Sequence, residues 1–299
     1  MAFAAFVVPW EKVDQAIVAI HSFKLKNPTW RCRVYSDDVL ALRRLEAAFA
    51  DTLEYVQIHR ADPVAVLSTL LEHSTEDRVC LVSSHSVCNR PIAEVSHADL
   101  SGQDVVVRPD RPFELSSMND LYVRFDPHHP DRLVRSKSYF TLGLAVFNLA
   151  RLRSNPDWAD LDARYLAQDN PDRGHYKHFI NRLAAPLKKG LLPGNFVIKP
   201  EVSVVDRLTY SMCLRHHVRL REAAVANFAG PIYPWTPNLT TDRVFLQIPF
   251  RRYLNRAFEV KSHLSDPFYQ AVKENTRRWN DRYGHLDEAF FNAFDIETL

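Results

Sequence analysis

Short apolar runs alternate with longer segments of helical spacing at the start of this chain, and this alternation constrains the fold most. Residues 3–8 are almost continuously apolar, which is typical of a strand covered on both faces. Residues 13, 16, 17, 20 and 23 are apolar with the spacing of a helix. A strand at 30–36, a helix from Asp38 to about Phe49 and a strand at 52–58 follow. This βαβαβ order predicts parallel strands joined by right-handed crossovers, and therefore an α/β fold.

The alternation continues and places polar residues at the end of a buried strand. Pro63 opens a predicted helix to about His73, and residues 77–85 form a predicted strand that ends in Ser83-Ser84-His85. The carboxyl end of such a strand is the default ligand position in an α/β protein. The apolar run 139–149 is centred on Gly143, and a glycine in a strand often marks the close approach of a ligand or a second backbone. Further predicted elements are a strand at 105–107, an irregular insertion at 108–135 and helices at 158–166 and 175–187.

The composition is that of a globular protein with balanced charge. Hydrophobic residues make up 46% and charged residues 25%, and 38 basic against 36 acidic residues leave a net charge of +2, which gives no reason to expect nucleic-acid binding. The four cysteines are widely spaced, and the 13 histidines show no metal-ligand spacing on a convincing helix. The apolar start lacks a preceding basic segment and ends at Pro9, so it is interpreted as a strand and not as a signal peptide. We expect a cytoplasmic protein with reduced cysteines.

A compact loop, Asn227-Phe228-Ala229-Gly230-Pro231-Ile232-Tyr233-Pro234-Trp235, follows the apolar run 223–226. Its glycine permits close approach of a ligand to the backbone, and its two prolines fix the backbone in one shape. Rigid loops after strands often carry ligands in α/β proteins. Two interpretations remain open at this point: a ligand-binding loop, or an ordinary surface loop anchored by its aromatic residues.

The character of the chain changes after Asp242, and we divide it into a main domain at 1–240 and a helical C-terminal extension at 241–299. The extension interleaves basic residues such as Arg251 and Arg252 with aromatic residues such as Tyr253 and Phe258. One interpretation is peripheral contact with anionic lipid at the inner face of the membrane. The other, which we prefer, is an amphipathic helix pair packed on the main domain.

Four segments in order resemble the family 8 glycosyltransferases, retaining enzymes of GT-A fold that include lipopolysaccharide galactosyltransferases and glycogenin. Residues 77–85 resemble the family's "D-K-V-L-Y-L-D-A-D", and residues 139–149 resemble "Y-F-N-A-G-V-x-L-F-N-L". Residues 227–235 resemble "H-F-x-G-x-x-K-P-W", and Leu192-Pro193-Gly194-Asn195 stands where the family has "L-P-x-x-W-N". The resemblance covers residues 3–235 and implies a mainly parallel, Rossmann-like sheet flanked by helices, with a nucleotide sugar bound at the carboxyl ends of its strands.

The sequence departs from the family at the positions that carry chemistry. In the family, two aspartates of D-x-D and the histidine of H-F-x-G hold a divalent cation, usually manganese. Here Ser83 and His85 replace the aspartates, and Asn227 replaces that histidine. Tyr233 replaces the lysine that contacts phosphate, and Thr141 replaces a sugar-binding asparagine. Serine, histidine and asparagine offer no carboxylate, so we expect no metal site here and no metal cofactor.

Two other family motifs are also altered. The first turn reads Val8-Pro9-Trp10-Glu11-Lys12 where the family has "A-D-D-N-Y". The motif "D-Q-x-x-L-N" is reduced to residues 176–181, of which only Asn181 is kept. Positive groups near these motifs, namely Lys12, His85, Lys177 and His178, are candidates to meet the diphosphate charge that a metal ion would otherwise meet.

Two hypotheses follow from the resemblance and its departures. The first is a hexosyltransferase that moves a sugar from a nucleotide sugar, with UDP-hexose as the expected donor, to a polysaccharide, lipid-linked or other small acceptor, with retention and without a D-x-D metal site. The second is a non-catalytic protein of GT-A fold that binds a partner. The candidate catalytic residues are His85, Thr141, Lys177 and His178, and the candidate donor-binding residues are Val8, Pro9, Glu11, Lys12, Ser83, Ser84, His85, Gly143, Asn227, Gly230, Tyr233 and Trp235.

Overall fold

The computed structural model describes residues 3–92, 95, 100, 102–109, 123–126, 129–135, 140–167, 176–192, 197–198, 223–228, 234–235 and 247–283. Within these residues, strands β1 to β12 span Phe3–Val7, Cys32–Ser36, Glu54–Gln57, Arg78–Val82, Ser86–Cys88, Val105–Pro109, Val123–Asp126, His129–Arg135, Phe140–Asn148, Lys189–Leu191, Val197–Ile198 and Val225–Asn227. Helices α1 to α8 in the same residues span Val13–Lys26, Val39–Phe49, Pro63–His73, Leu149–Arg153, Leu161–Leu166, Tyr176–Leu183, Gln247–Glu259 and Asp266–Tyr283. Short 3-10 turns lie at Trp10–Lys12, Ala50–Thr52, Pro156–Trp158 and Lys261–His263.

A seven-stranded sheet in the order β10-β6-β9-β4-β1-β2-β3 forms the centre of the fold. Strands β4, β1, β2 and β3 run parallel to one another, as the βαβαβ pattern predicts. Strand β9 runs antiparallel to both β4 and β6. The predicted α/β class and mainly parallel sheet are confirmed, and the carboxyl ends of β1 and β4 meet at one edge of the sheet.

Aspartates directly after two strands start the crossover helices. Asp38 accepts hydrogen bonds from the N–H groups of Leu40 and Ala41 at 2.7 and 3.0 Å, and these bonds cap α2. Asp62 caps α3 in the same way, with Pro63 at the first helical position. Because such caps satisfy backbone donors that the helix itself leaves free, each helix begins within a few residues of the preceding strand end.

The sheet is covered on both faces, and alternate residues of β1 show it. Ala4 and Phe6 lie in the hydrophobic cluster that packs against α1, α2 and the C-terminal helices, whereas Phe3 and Ala5 lie in the cluster beneath α3 to α6. Side chains of a strand alternate between faces, so a strand with two covered faces is apolar throughout. The near-continuous apolar run at the start of the chain therefore marks a central strand.

Three predicted elements differ from the structure. The region 108–135 contains a two-stranded hairpin of β7 and β8, while residues 110–122 of the expected insertion lie outside the described residues. The predicted helix at 158–166 is a 3-10 turn followed by α5, because Asp160 has a left-handed backbone with φ of 49°. The predicted helix at 175–187 ends at Leu183, since a residue before a proline, here Ala185 before Pro186, disfavours helical conformation.

The C-terminal helices α7 and α8 pack on the main sheet. Tyr253 and Leu254 of α7 and Val272 of α8 lie in the same cluster as β1 and α1, and Phe258 and Phe268 pack against it. These aromatic residues of the basic–aromatic segment therefore pack against the core, as the preferred interpretation predicts. No described helix is long and apolar enough to cross a membrane. The boundary placed at residues 240 and 241 falls in 236–246, outside the described residues.

Candidate functional site

A cleft with a volume of about 160 Å³ opens at the carboxyl ends of β1 and β4. Its walls also include the start of β9, the end of β12 and the first turn of α6. Among the predicted site residues, those that line it are Pro9, Lys12, Ser83, Ser84, His85, Thr141, Gly143, Lys177 and Asn227. Residues far apart in the sequence are thus brought together at the edge where ligands bind in open α/β sheets.

Hydrogen bonds from three directions fix the turn after β4. The N–H of Ser83 donates to the carbonyl of Gly143 at 3.1 Å, which ties the turn to β9. The N–H of His85 donates to Ser83 Oγ at 3.2 Å, so the serine hydroxyl closes the turn. The N–H of Phe228 donates to the carbonyl of His85 at 2.8 Å and holds the turn against β12. The backbone of residues 83–85 is therefore set by the strands around it.

Gly143 of β9 and Asn227 of β12 lie in direct contact, and both line the cleft. A Cβ atom at Gly143 would lie 2.7 Å from Cγ of Asn227 and closer still to its Nδ2, so only glycine fits there. Asn227 is 3% exposed, and its Oδ1 has no hydrogen-bond partner among the described residues. Thr141 Oγ1 accepts a hydrogen bond from the N–H of Gly143 at 3.2 Å.

Among the described lining residues, the titratable groups are the basic Lys12, His85 and Lys177 and the phenol of Tyr176. Burial and then the neighbouring Lys12 lower the pKa of His85 to about 4, so its imidazole is neutral at pH 7. Burial also lowers the pKa of Lys12, whose ammonium forms no ion pair within the described part of the chain. Lys177, in the first turn of α6, also lines the cleft. The described lining residues include no aspartate or glutamate.

Solved glycosyltransferases share this architecture. The galactosyltransferase LgtC, determined with donor and acceptor sugar analogs, superposes with a TM-score of 0.60 at 13% identity over 91% of this chain and 100% of LgtC. The apo structure of the bifunctional WbbM gives 0.60 at 14% identity over 88% of this chain and 51% of WbbM. Apo GlyE from Streptococcus pneumoniae gives 0.58 at 11% identity over 93% of this chain and 63% of GlyE. The chain has the GT-A fold of these glycosyltransferases.

The fold that the family resemblance implies is therefore confirmed by structure, at sequence identities of 11–14%. No family model and no curated protein sequence matches the chain. The cleft lies where a GT-A sheet presents the carboxyl ends of its parallel strands, and the segments that carried the resemblance border it.

Asn181, the residue kept from the family's "D-Q-x-x-L-N", joins α6 to the start of β9 in this GT-A fold. Its Oδ1 accepts from the N–H of Phe140 at 2.7 Å, and its Nδ2 donates to the carbonyls of Phe140 at 3.1 Å and Lys177 at 2.9 Å. The side chain thus pairs with the strand as another strand would. Asn181 holds the wall that carries Lys177, and it does not itself line the cleft.

Several predicted site residues lie elsewhere. Val8 is fully buried in the core, and its N–H donates to the carbonyl of Tyr35 at 2.9 Å. Val8 does not line the cleft, whereas the neighbouring Val7 does, because successive side chains of a strand point to opposite faces. Glu11 lies in the first turn outside the lining. Gly230, Tyr233 and the side chain of His178 lie outside what the structure describes.

Trp235 packs behind His85. The two rings stack with centroids 6.0 Å apart and planes at 25°, and Trp235 also contacts Tyr253 and Phe228. Trp235 therefore anchors the end of its loop in the core and does not line the cleft. Sequence reasoning missed Pro63 and Tyr176, which line the cleft from the start of α3 and α6. Both residues lie at the start of a predicted helix, and this position was the available signal.

The donor set does not fit a divalent cation of the kind that the fold family implies. The described residues contain no group of three metal-ligating side chains. At the cleft, Ser83 Oγ already accepts a hydrogen bond, and Asn227 and His85 are neutral. Manganese and magnesium sites use carboxylate oxygens, and the ammonium of Lys12 would oppose a cation. The ammonium of Lys12 and the neutral side chains of Ser83, His85 and Asn227 suit a phosphate instead.

Proposed function

We propose that this protein is a glycosyltransferase that uses a nucleotide sugar and meets the diphosphate charge with its own basic residues. One observation carries the proposal: an open cleft at the carboxyl ends of a GT-A sheet is lined by Lys12, Lys177 and the neutral imidazole of His85, and no carboxylate occurs among its described lining residues. A diphosphate is complementary in charge to the two lysines. The expected donor is a UDP-hexose, and the expected acceptor is a glycan or a lipid-linked sugar.

The basic groups would act on the leaving group. During transfer, the bond between the anomeric carbon and the diphosphate oxygen breaks, and the electron pair stays on that oxygen. A hydroxyl oxygen of the acceptor forms the new bond to the anomeric carbon, and its proton passes to the departing phosphate. Lys12 and Lys177 are charged donors that would stabilise the developing negative charge without moving. Retention of configuration follows the family resemblance.

Neutral polar groups of the cleft would contact the sugar. Thr141 and Asn227 line the same cleft as Lys12 and Lys177. The Oδ1 of Asn227 is buried without a partner among the described residues, and a buried acceptor of this kind is stabilised by a donor such as a sugar hydroxyl. Specific recognition of hydroxyl groups by a few fixed polar side chains is the usual pattern of small-molecule sites.

A non-catalytic binding protein of GT-A fold is the alternative. In such a protein the cleft could be filled by its own side chains, because no substrate has to enter. Here a volume of about 160 Å³ is open and bordered by basic groups. This observation favours a ligand-binding cleft and supports the transferase.

Calorimetric titration with UDP- and GDP-sugars, with and without Mn²⁺, tests the proposal. We expect micromolar to millimolar binding of one UDP-sugar that does not require Mn²⁺. Lys12→Met should weaken that binding about tenfold or more, because it removes a charged phosphate donor and keeps the side-chain length. Lys273→Met, on the exposed face of α8, is the matched control and should bind as the wild type does.

Two results would contradict this proposal. Absence of binding by any nucleotide sugar would reject the transferase, and strict dependence on Mn²⁺ would reject the metal-free site. Turnover is measured separately as release of UDP in the presence of candidate acceptors. A protein that binds a UDP-sugar and never releases UDP with any acceptor would support the non-catalytic alternative.

A further inference from the structure

The C-terminal helices reach the back of the cleft through a cluster of aromatic rings. Trp235 stacks on His85, and its other neighbours include Tyr253 of α7 at a centroid distance of 5.0 Å and Phe268 of α8 at 6.1 Å. Phe228, next to the cleft residue Asn227, packs edge-on against both Trp235 and Tyr253. One ring, that of Trp235, thus lies between the C-terminal helices and the imidazole of His85.

A buried polar contact fixes the residue before that ring. Nδ2 of Asn275 in α8 donates to the carbonyl of Pro234 at 2.7 Å, and Asn275 is 4% exposed. Because this contact is buried, its loss would leave the carbonyl of Pro234 without that donor in a site that water does not reach. The position of Trp235 therefore depends on α8.

The other end of α8 is fastened to the main domain. The N–H and Oγ of Ser265, directly before α8, donate to the two oxygens of Asp14 in α1 at 2.8 and 2.7 Å. Arg44 of α2 donates to the same carboxylate at 2.7 Å. With its start bound to α1 and α2 and its middle bound to Pro234, α8 spans from the outside of the domain to the back of the cleft.

We propose that Asn275 is a positioning residue for the cleft, through which α8 holds Trp235 against His85. This inference rests on the proposed function for its effect on donor binding. Trp235 covers one face of the imidazole, and the turn after β4 fixes the backbone of His85. Lys12, in the turn after β1, is a charged group close enough to His85 to lower its pKa, and both residues line the cleft. Residues that pack against a ligand-binding side chain and fix its rotamer commonly determine how precisely that side chain is placed for the ligand.

The variant Asn275→Leu tests this, since leucine has a similar volume and cannot donate to Pro234. Thr276→Val is the matched control: it removes a bond from Thr276 Oγ1 to Val272 that lies within α8 and does not reach the loop. Histidine titration is followed by NMR in both variants, with His85 assigned by its loss in His85→Gln. In the wild type we expect a pKa of about 4 for His85.

In Asn275→Leu, the pKa of His85 should rise by at least one unit towards the ordinary value of about 6.5, because the imidazole loses its cover. In Thr276→Val it should not move. UDP-hexose affinity should fall at least fivefold in Asn275→Leu and stay unchanged in the control. Circular dichroism checks that each variant is folded. Where Asn275→Leu does not fold, Asn275→Ser carries the same comparison, since its hydroxyl is too short to reach Pro234.

The outcomes separate this inference from the proposed function. A folded Asn275 variant with the wild-type pKa of His85 and wild-type affinity overturns the positioning role. If no nucleotide sugar binds even the wild type, the proposed function fails, and the pKa comparison still decides whether Asn275 positions His85. A shifted pKa together with weakened binding supports both.

Discussion

The contact between Gly143 and Asn227 fixes the shape of the cleft at the level of single residues. Gly143→Ala should lower the free energy of unfolding by about 1–3 kcal/mol, because the new methyl group overlaps the Asn227 side chain. Urea unfolding measures the change. Adding Asn227→Gly should restore most of it, since the overlapping side chain is then absent.

Gly190 provides a control for that substitution. A Cβ there would also meet a side chain, but the nearest atoms belong to the end of Gln103, which can rotate away. Gly190→Ala should therefore cost less than Gly143→Ala. Equal costs would show that the loss reflects glycine replacement in general and not the contact with Asn227.

His85 makes stability depend on pH. Its pKa is about 4 in the folded protein against about 6.5 in an unfolded chain, so between these values the unfolded state binds more protons. Stability from this group is complete above pH 6.5 and is lost as the pH falls through 4. The wild type should lose up to about 3 kcal/mol more than His85→Gln between pH 7 and pH 4. Parallel curves in urea unfolding would contradict the burial of the imidazole.

Much of the candidate site could be predicted from sequence, because strand ends can be located from local patterns. The direction of each side chain and the packing between strands could not. Ser83, Ser84 and His85 follow a buried strand, and strand ends gather at one edge of a parallel sheet. Which side of the strand a residue faces was not visible at the first turn, where both Val7 and Val8 are apolar and buried strands show no alternation. Asn227 Oδ1 is buried without a hydrogen-bond partner among the described residues. Its burial depends on packing between β9 and β12, which no local sequence pattern encodes.

At the scale of elements, Asn181 of α6 joins the start of β9 by two hydrogen bonds to Phe140. Asn181→Ala should lower the free energy of unfolding by about 2–4 kcal/mol, because the N–H and carbonyl of Phe140 lose buried partners. Asn155→Ala is the control: Asn155 Oδ1 accepts one bond from Asp157, in an exposed turn, and its loss should cost about 1 kcal/mol or less. Chemical denaturation compares the two. A cost at Asn181 no larger than at Asn155 would show that the strand is held by other contacts.

Element boundaries followed the sequence where local signals were strong. Asp38 and Asp62 begin helices where capping predicts, because the cap is a local interaction. The hairpin of β7 and β8 was missed, since its prolines, histidines and aspartates carry no strand alternation. The reversed direction of β9 is set by its neighbours β4 and β6 and leaves no trace in its own apolar run.

At the scale of the whole molecule, the alternation of strands and helices determined the fold class, and three-dimensional packing determined the place of the C-terminal helices. A basic–aromatic pattern alone is compatible with a membrane surface and with a protein core. In the structure Tyr253 lies in one apolar cluster with residues of α1 and the sheet, and Phe258 and Phe268 pack against that cluster. That packing belongs to the folded domain and not to either segment.

The attachment of α7 and α8 through Asp14 gives the last prediction. Asp14→Ala removes the acceptor of Ser265 and Arg44, so the helix pair should open locally more often while the sheet stays folded. Hydrogen exchange should accelerate in peptides from α7 and α8 and, because Asn275 links α8 to Pro234, in residues 223–228 as well. Peptides from β4 and β9 should exchange as in the wild type. Glu274→Ala, which removes only contacts with Arg277 and Arg278 on α8, should leave all of these rates unchanged. Uniform acceleration across the sheet would instead mean that the helices and the sheet open as one cooperative unit.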